Sequence, residues 1–231
     1  MQRLLVLIFL LLCACQPKSE QVVAEKSAAA PTETPQVDEY FVDSLTIGRK
    51  SFNKVELSKC RTPDSVFVII KFYTKQRGAW LLKNSFHFLK DPITSCSAVL
   101  NDFNNDGLND LTYQSSIAAR GANDVRRLFI YDKKIDELIF IKNSDKYPNL
   151  LYNKKLDCID AFLVTGSSTT VFLNLEGDHL RKFASVDLSD GLTVWVYDKN
   201  GKGKIIRQDS TNEGSQVRYK NFRPLEVNEE Y

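Results

Sequence analysis

The chain has 231 residues, with 31 Lys and Arg against 29 Asp and Glu, for a formal net charge of +2 at pH 7. A balance this even excludes the strong positive field that draws basic proteins to nucleic acid or to anionic lipid, so no nucleic-acid partner is expected. Past its first segments, residues 39–231 have a length that fits one domain.

The chain opens MQRLLVLIFLLLCAC, with Arg3 ahead of an unbroken apolar run from Leu4 to Leu12. That is the n-region and h-region of a secretory signal, and it is shorter than the ~20 apolar residues of a membrane-spanning helix. Leu12-Cys13-Ala14-Cys15 resembles the bacterial lipobox. The resemblance implies a signal peptide over residues 1–14, cleavage after Ala14, and a diacylglycerol thioether on Cys15 that anchors the protein to a membrane. Cleavage by an ordinary signal peptidase is the alternative. Gln16, rather than Asp, follows the cysteine, which in enterobacterial sorting favours the outer membrane, on its periplasmic or surface face. Residues 15–38 then read as the lipidated cysteine and a flexible tether. The stretch after Cys15 has no aromatic residue and mixes Ala, Pro, Thr, Glu and Lys, too little apolar surface to offset the entropy of ordering. As a random coil it would span roughly 25–30 Å.

From residue 39 onward the pattern is strand and turn. SVFVIIKFYT (65–74) and AWLLKNSFHFLK (79–90) are rich in β-branched and aromatic residues. RLFIYDKKIDELIFIK (127–142) predicts a hairpin turning over Asp132–Asp136, and TTVFLNLEGDHLRKFASVDL (169–188) another, turning at Glu176-Gly177-Asp178. LTVWVYDKNGKGKIIRQ (192–208) predicts a third, at Asp198-Lys199-Asn200-Gly201, where Asn-Gly is a strong hairpin signal. No window keeps a helical period over a dozen residues. The fold class is therefore all-β, a propeller-like array of antiparallel hairpins, with a β-sandwich or meander as the alternative. The first arms LFIYD, VFLNL and VWVYD begin at residues 128, 171 and 194, an irregular repeat.

Between the apolar runs SAVL and LTY lies DFNNDGLND, residues 102–110. Counting from Asp102, side-chain oxygens fall at positions 1 (Asp102), 3 (Asn104), 5 (Asp106) and 9 (Asp110), with Gly107 at 6 and the Leu108 carbonyl at 7. Calcium takes six to eight hard oxygen ligands, which alternate residues of a tight loop can supply. Magnesium prefers to keep waters, and softer metals want His or Cys, which the loop lacks. An EF-hand is excluded, because Tyr113 stands where its bidentate Glu would be and the flanks read as strands. An Asx-rich turn with no ion is the alternative.

The Asp-x-Asn-x-Asp-Gly-x-x-Asp pattern resembles the loops that link strands in integrin-α (FG-GAP) propeller blades. From Cys96 the order of segments also resembles the calcium-binding, β-propeller-type bacterial lipoproteins that serve as lysozyme inhibitors or immunity proteins. That order runs through LNDFNNDGLNDLTYQSS, RRLFIYDKKIDELIFIK, YPNLLYNKKLDCIDAF and TGSSTTVFLNLEGDHLRKF. The likeness covers about residues 95–190. It implies a structural Ca2+ held by Asp102, Asn104, Asp106, Leu108 and Asp110, and a lysozyme-type hydrolase as protein partner. The chain departs from the pattern at Asn105, where an aromatic is usual, and at Thr170-Val171-Phe172, where Tyr or Trp is usual.

An inhibitor of such an enzyme must occlude a cleft holding catalytic carboxylates. The small hydroxyl loop Thr165, Gly166, Ser167, Ser168 and Thr169 is the candidate contact. An adhesion or envelope-assembly accessory using Trp195 or Tyr197 is a second reading, and a hydrolase a third. His87 and His179 stand in no nucleophile-elbow context, and GKGK (201–204) lacks the spacing of a phosphate loop. The reading is therefore a binding protein and no enzyme. Of Cys60, Cys96 and Cys158, two would pair in an oxidising periplasm, or all three stay buried and free.

Overall fold

The computed structural model describes residues 34–210 and 216–228, so the signal sequence, Cys15 and the first part of the tether lie outside the described residues. Every regular element of more than one short turn is a strand, and all the named strand pairs are antiparallel. The first sheet holds β1 (Gln36–Asp43), β2 (Asn53–Arg61), β3 (Val66–Gln76) and β4 (Ala79–Leu89), in that order. The second holds β5 (Val99–Asn101), β6 (Asp110–Ala118), β7 (Asn123–Asp132) and β8 (Glu137–Phe140). The third runs through β9 (Leu151–Asn153), β10 (Cys158–Val164), β11 (Ser168–Glu176), β12 (His179–Asp187), β13 (Leu192–Tyr197) and β14 (Gly203–Asp209). A C-terminal hairpin pairs β15 (Arg218–Phe222) with β16 (Leu225–Asn228). Neighbours in each sheet are consecutive in sequence, and among the described residues no sheet closes into a barrel. The all-β expectation holds, and the three hairpins read at 132–136, 176–178 and 198–201 turn where expected.

Alternation fixes which faces are buried. In β2, Val55 and Leu57 point inward with the polar residues between them half-buried, and Val68, Ile70 and Phe72 of β3 do the same. These residues meet Leu111, Tyr113, Phe129 and Tyr131 of the second sheet in one core. Phe86, Phe88 and Phe140 extend it around Phe129, with ring centroids 5.0–5.9 Å from that of Phe129. A second core joins Leu128 and Ile130 to Ile159, Ala161, Val171 and Leu173 of the third sheet. The C-terminal hairpin adds Tyr219 to a third core, against Phe172, Ala184 and Val194.

One sequence expectation is corrected in detail, and one pair of alternatives is decided. The first described strand begins at Gln36, three residues ahead of Glu39: β1 pairs Gln36 with Arg61 and Val37 with Cys60, and Asp38 salt-bridges Arg61 at 2.8 Å. Backbone pairing at a sheet edge, which composition does not reveal, orders these polar residues. Cys60, Cys96 and Cys158 are all buried free thiols, so no pair of them is bridged. Burial pushes Cys96 up to about 11 and Cys158 up to about 12, which leaves both protonated and unreactive. Among the described residues no helix is long and apolar enough to cross a membrane.

Candidate metal centre

Residues 102–109 join β5 to β6, and pairing of Asn101 with Asp110 closes the loop at its base. Asp110 is 1% exposed, and its carboxylate holds the loop in place. Its Oδ2 accepts the Phe103 N–H and its Oδ1 the Tyr131 N–H of β7, both at 2.8 Å. Within the loop, Asp102 Oδ1 accepts the Asp106 N–H at 3.2 Å and Oδ2 the Gly107 N–H at 2.8 Å. Asn104 Oδ1 also accepts the Asp106 N–H, and its Nδ2 donates to Asp106 Oδ2, each at 3.2 Å. Asp106 Oδ1 accepts the Leu108 N–H at 2.9 Å. Two residues take left-handed backbone: Asn105 at φ 58° and Gly107 at φ 82°. That turn is why an Asn and a Gly stand there. Asn105, which departs from the resembled pattern, donates to Asp157 across the gap to the third sheet at 3.4 Å.

The loop is also held from outside. Phe103 is buried, 4% exposed, in the core shared with the third sheet. Leu108 packs on the core between the first and second sheets. Asn109 accepts the Gly48 N–H at 2.9 Å and donates its Nδ2 to the Thr46 carbonyl at 3.2 Å. The loop therefore sits where three sheets meet.

Electrostatics mark it further. Burial pushes the Asp110 carboxyl up to about 7, and repulsion from Asp106 and Asp102 adds to the rise, while the two N–H bonds oppose it. Among the described residues no Lys, Arg or His forms an ion pair with Asp102, Asp106 or Asp110. As the loop stands, no group of three or more His, Cys, Asp or Glu side chains among the described residues is gathered closely enough to hold a metal ion. The acidic oxygens face backbone N–H groups instead, except Asp106 Oδ2, which accepts from the Asn104 side-chain amide. A carboxylate oxygen with one such bond keeps a second lone pair.

The hydroxyl loop divides differently from its sequence. Ser167 O accepts the Thr165 N–H at 3.0 Å around Gly166, at φ 92°. Thr165 and Gly166 are exposed and Ser167 is half-buried. Ser168 is buried, and its Oγ accepts the Val217 N–H at 3.1 Å. Thr169 Oγ1 donates to Asp187 at 2.8 Å. The last two hydroxyls bond within the fold; Ser167 and Thr169 are half-buried, and Thr165 and Gly166 are exposed. Trp195 and Tyr197 are half-buried with stacked rings 6.3 Å apart, and His87 is exposed.

Sequence reasoning passed over two buried polar centres. Asn53 is fully buried: its Oδ1 accepts the Arg49 N–H at 2.7 Å and its Nδ2 donates to Asp136 at 3.0 Å. Tyr131 Oη and Arg49 also bond Asp136, at 2.8 and 2.7 Å, tying the first sheet to the β7–β8 turn. Arg218 pairs with Asp160 in the interior. No local spacing signals either, because the partners lie more than fifty residues apart.

No protein-family model matches the chain, and no curated protein matches it. Among solved structures, a Xanthomonas type IV secretion system related protein is similar, with a TM-score of 0.44 and 13% identity. The match covers 75% of this chain and 96% of that one.

Proposed function

We propose that this is a lipid-anchored binding protein of the bacterial cell envelope, with a structural calcium ion in the 102–110 loop, acting as an inhibitor of a lysozyme-type hydrolase. The observation that carries the metal reading is the trio Asp102, Asp106 and Asp110, which share one loop with no basic partner among the described residues. A divalent cation would relieve that repulsion and draw on the Asn104 oxygen and Leu108 carbonyl as neutral ligands. Bound there, calcium supplies charge neutralisation. The chain's own residues carry the anchoring, through Phe103 and Asn109. Three successive up-and-down sheets, each a run of neighbouring strands, support reading the domain as propeller-like.

The partner surface we assign is the tip Thr165–Ser167, where Thr165 and Gly166 are exposed and Ser167 is half-buried. Its small side chains leave room to enter a cleft, and its hydroxyls can donate to carboxylates there. The test is residual muramidase activity across a panel of lysozymes with wild type and Ser167→Glu. Wild type should inhibit at least one enzyme. The variant should lose that inhibition at unchanged melting temperature, because it presents a carboxylate to carboxylates. A panel with no inhibited member would refute the inhibitor reading. The anchor is tested separately, since an alkyne fatty acid should label wild type and not Cys15→Ser.

A further inference from the structure

The three sheets stack through shared cores, and the two ends of the stack differ. At one end the C-terminal hairpin covers the third sheet, with Tyr219 against Phe172, Ala184 and Val194. At the other end stands the first sheet, which turns Val55, Leu57, Val68, Ile70 and Phe72 into the core it shares with the second. Alternation sends the residues between these to its outer face. The register aligns them in rows: Tyr40, Ser58, Ile69 and His87 in one, and Val42, Glu56, Lys71 and Ser85 in the next.

That outer face is apolar yet joins no core. Val37, Tyr40, Val42, Trp80, Leu82 and Leu89 lie on it and are 37–73% exposed. Contiguous apolar surface of this kind marks an interaction site. Its charges are unequal. Lys54 pairs with Glu56 at 2.5 Å, and Arg61 with Asp38 at 2.8 Å. Lys71 and Lys75 are exposed and form no ion pair among the described residues. Lys54 Nζ and Lys75 Nζ each lie 5.5 Å from the centre of the Trp80 ring. One face thus combines aromatic rings, aliphatic side chains and two uncompensated cations, in a chain whose overall charge is nearly balanced.

We propose that the outer face of the first sheet docks on a bilayer surface that contains anionic lipid. The path of the chain favours this occupant. β1 is an edge strand of the same sheet, and only residues 16–33 separate Thr34 from Cys15. A coil of that length spans roughly 25 Å, so the lipid anchor, on which this proposal rests, keeps the sheet within reach of the headgroups. Charge favours it too. Lys71 and Lys75 meet anionic headgroups, while Trp80, Tyr40 and the aliphatic side chains suit the boundary between headgroups and acyl chains. A second copy is a poorer match, because an isologous pair would bring together two faces of the same excess charge. Docked this way, the third sheet and its Thr165–Ser167 tip stand two sheet spacings, ~20 Å, from the first sheet and clear of the bilayer.

The test uses the chain from Cys15 with that thiol coupled to a maleimide phospholipid in vesicles, so the outcome does not depend on acylation in cells. Cys60, Cys96 and Cys158 are buried and take no part. Trp195→Phe leaves Trp80 as the reporter, and Trp80→Phe leaves Trp195. In vesicles of phosphatidylcholine with a quarter phosphatidylglycerol, brominated acyl chains should quench Trp80 and leave Trp195 bright. Lys71→Gln with Lys75→Gln should lower the ratio of docked to undocked protein by about 25-fold, about fivefold for each lysine, at unchanged melting temperature. Leu82→Glu, at an exposed position, should abolish the quenching with the tether still attached. Unquenched Trp80, equal quenching of both tryptophans, or quenching unchanged in the lysine variant would each overturn the proposal. So would a dimer in sedimentation of the untethered protein that Leu82→Glu dissociates, because a second copy would then cover the face.

Discussion

Phe103→Ala tests whether the 102–110 loop is anchored in the core. The ring is 4% exposed and lies among buried residues of the second and third sheets. Truncating a buried Phe to Ala typically costs ~3–5 kcal/mol, from lost burial and the cavity left behind. That is a large share of the ~5–15 kcal/mol by which a domain is stable. At ~2–4 °C per kcal/mol for a domain of this size, the melting temperature should fall by roughly 6–20 °C. Urea unfolding in EDTA, read by circular dichroism, gives the free energy, with an unchanged m-value showing that the same surface unfolds. None of the candidate ligand oxygens is removed, so calcium should stabilise the variant and wild type alike and leave the gap between them. A loss below ~1 kcal/mol would refute the anchoring, because an exposed ring costs little to remove.

Gly48→Ala should destabilise by about 1–3 kcal/mol in the same assay. Gly48 sits at φ +51°, and an added Cβ would lie 2.9 Å from Asn53 Oδ1 and 3.1 Å from the Tyr131 ring. A chain starting at Thr34 should melt several degrees above one starting at Glu39, which lacks the first pairs of β1 and the Asp38–Arg61 ion pair; equal melting would put the start of the fold at Glu39. Burial works to raise the Asp91 carboxyl, but bonds from the Thr94 hydroxyl and N–H and the Ile93 N–H, with Lys90 nearby, outweigh it and hold it at about 2. A folded-state value below the ordinary 3.8 stabilises above pH ~4, and that stability is lost as pH falls toward 2. Wild type should therefore exceed Asp91→Asn in stability at pH 6 and converge with it near pH 2; a gap independent of pH would contradict this.

The hairpins were legible because their turn residues are local. Asp132–Asp136, Glu176–Asp178 and Asn200-Gly201 each interrupt two alternating arms, and the structure turns at each. The loop at 102–110 was legible for the same reason: every spacing that defines it falls within nine residues. Features that depend on tertiary partners were not. Gln36–Asp38 read as tether because their ordering comes from backbone pairing with β2, not from apolar side chains. Ser168 reads like its exposed neighbours in sequence, yet the C-terminal hairpin covers it and takes its hydroxyl. The Asn53–Asp136 and Asp160–Arg218 contacts join positions that no local pattern links.

The most direct test of the structural calcium ion is thermal unfolding in EDTA, in excess calcium and in excess magnesium, for wild type and Asp106→Ala. Binding to the folded state alone stabilises by RT ln(1 + [L]/Kd), ~2.7 kcal/mol at 100 times Kd. Calcium should therefore raise the wild-type melting temperature by roughly 5–10 °C. Magnesium should raise it less, and Asp106→Ala should not respond. An identical melting temperature for wild type in EDTA and in every divalent cation would contradict the account and leave residues 102–110 a hydrogen-bonded turn.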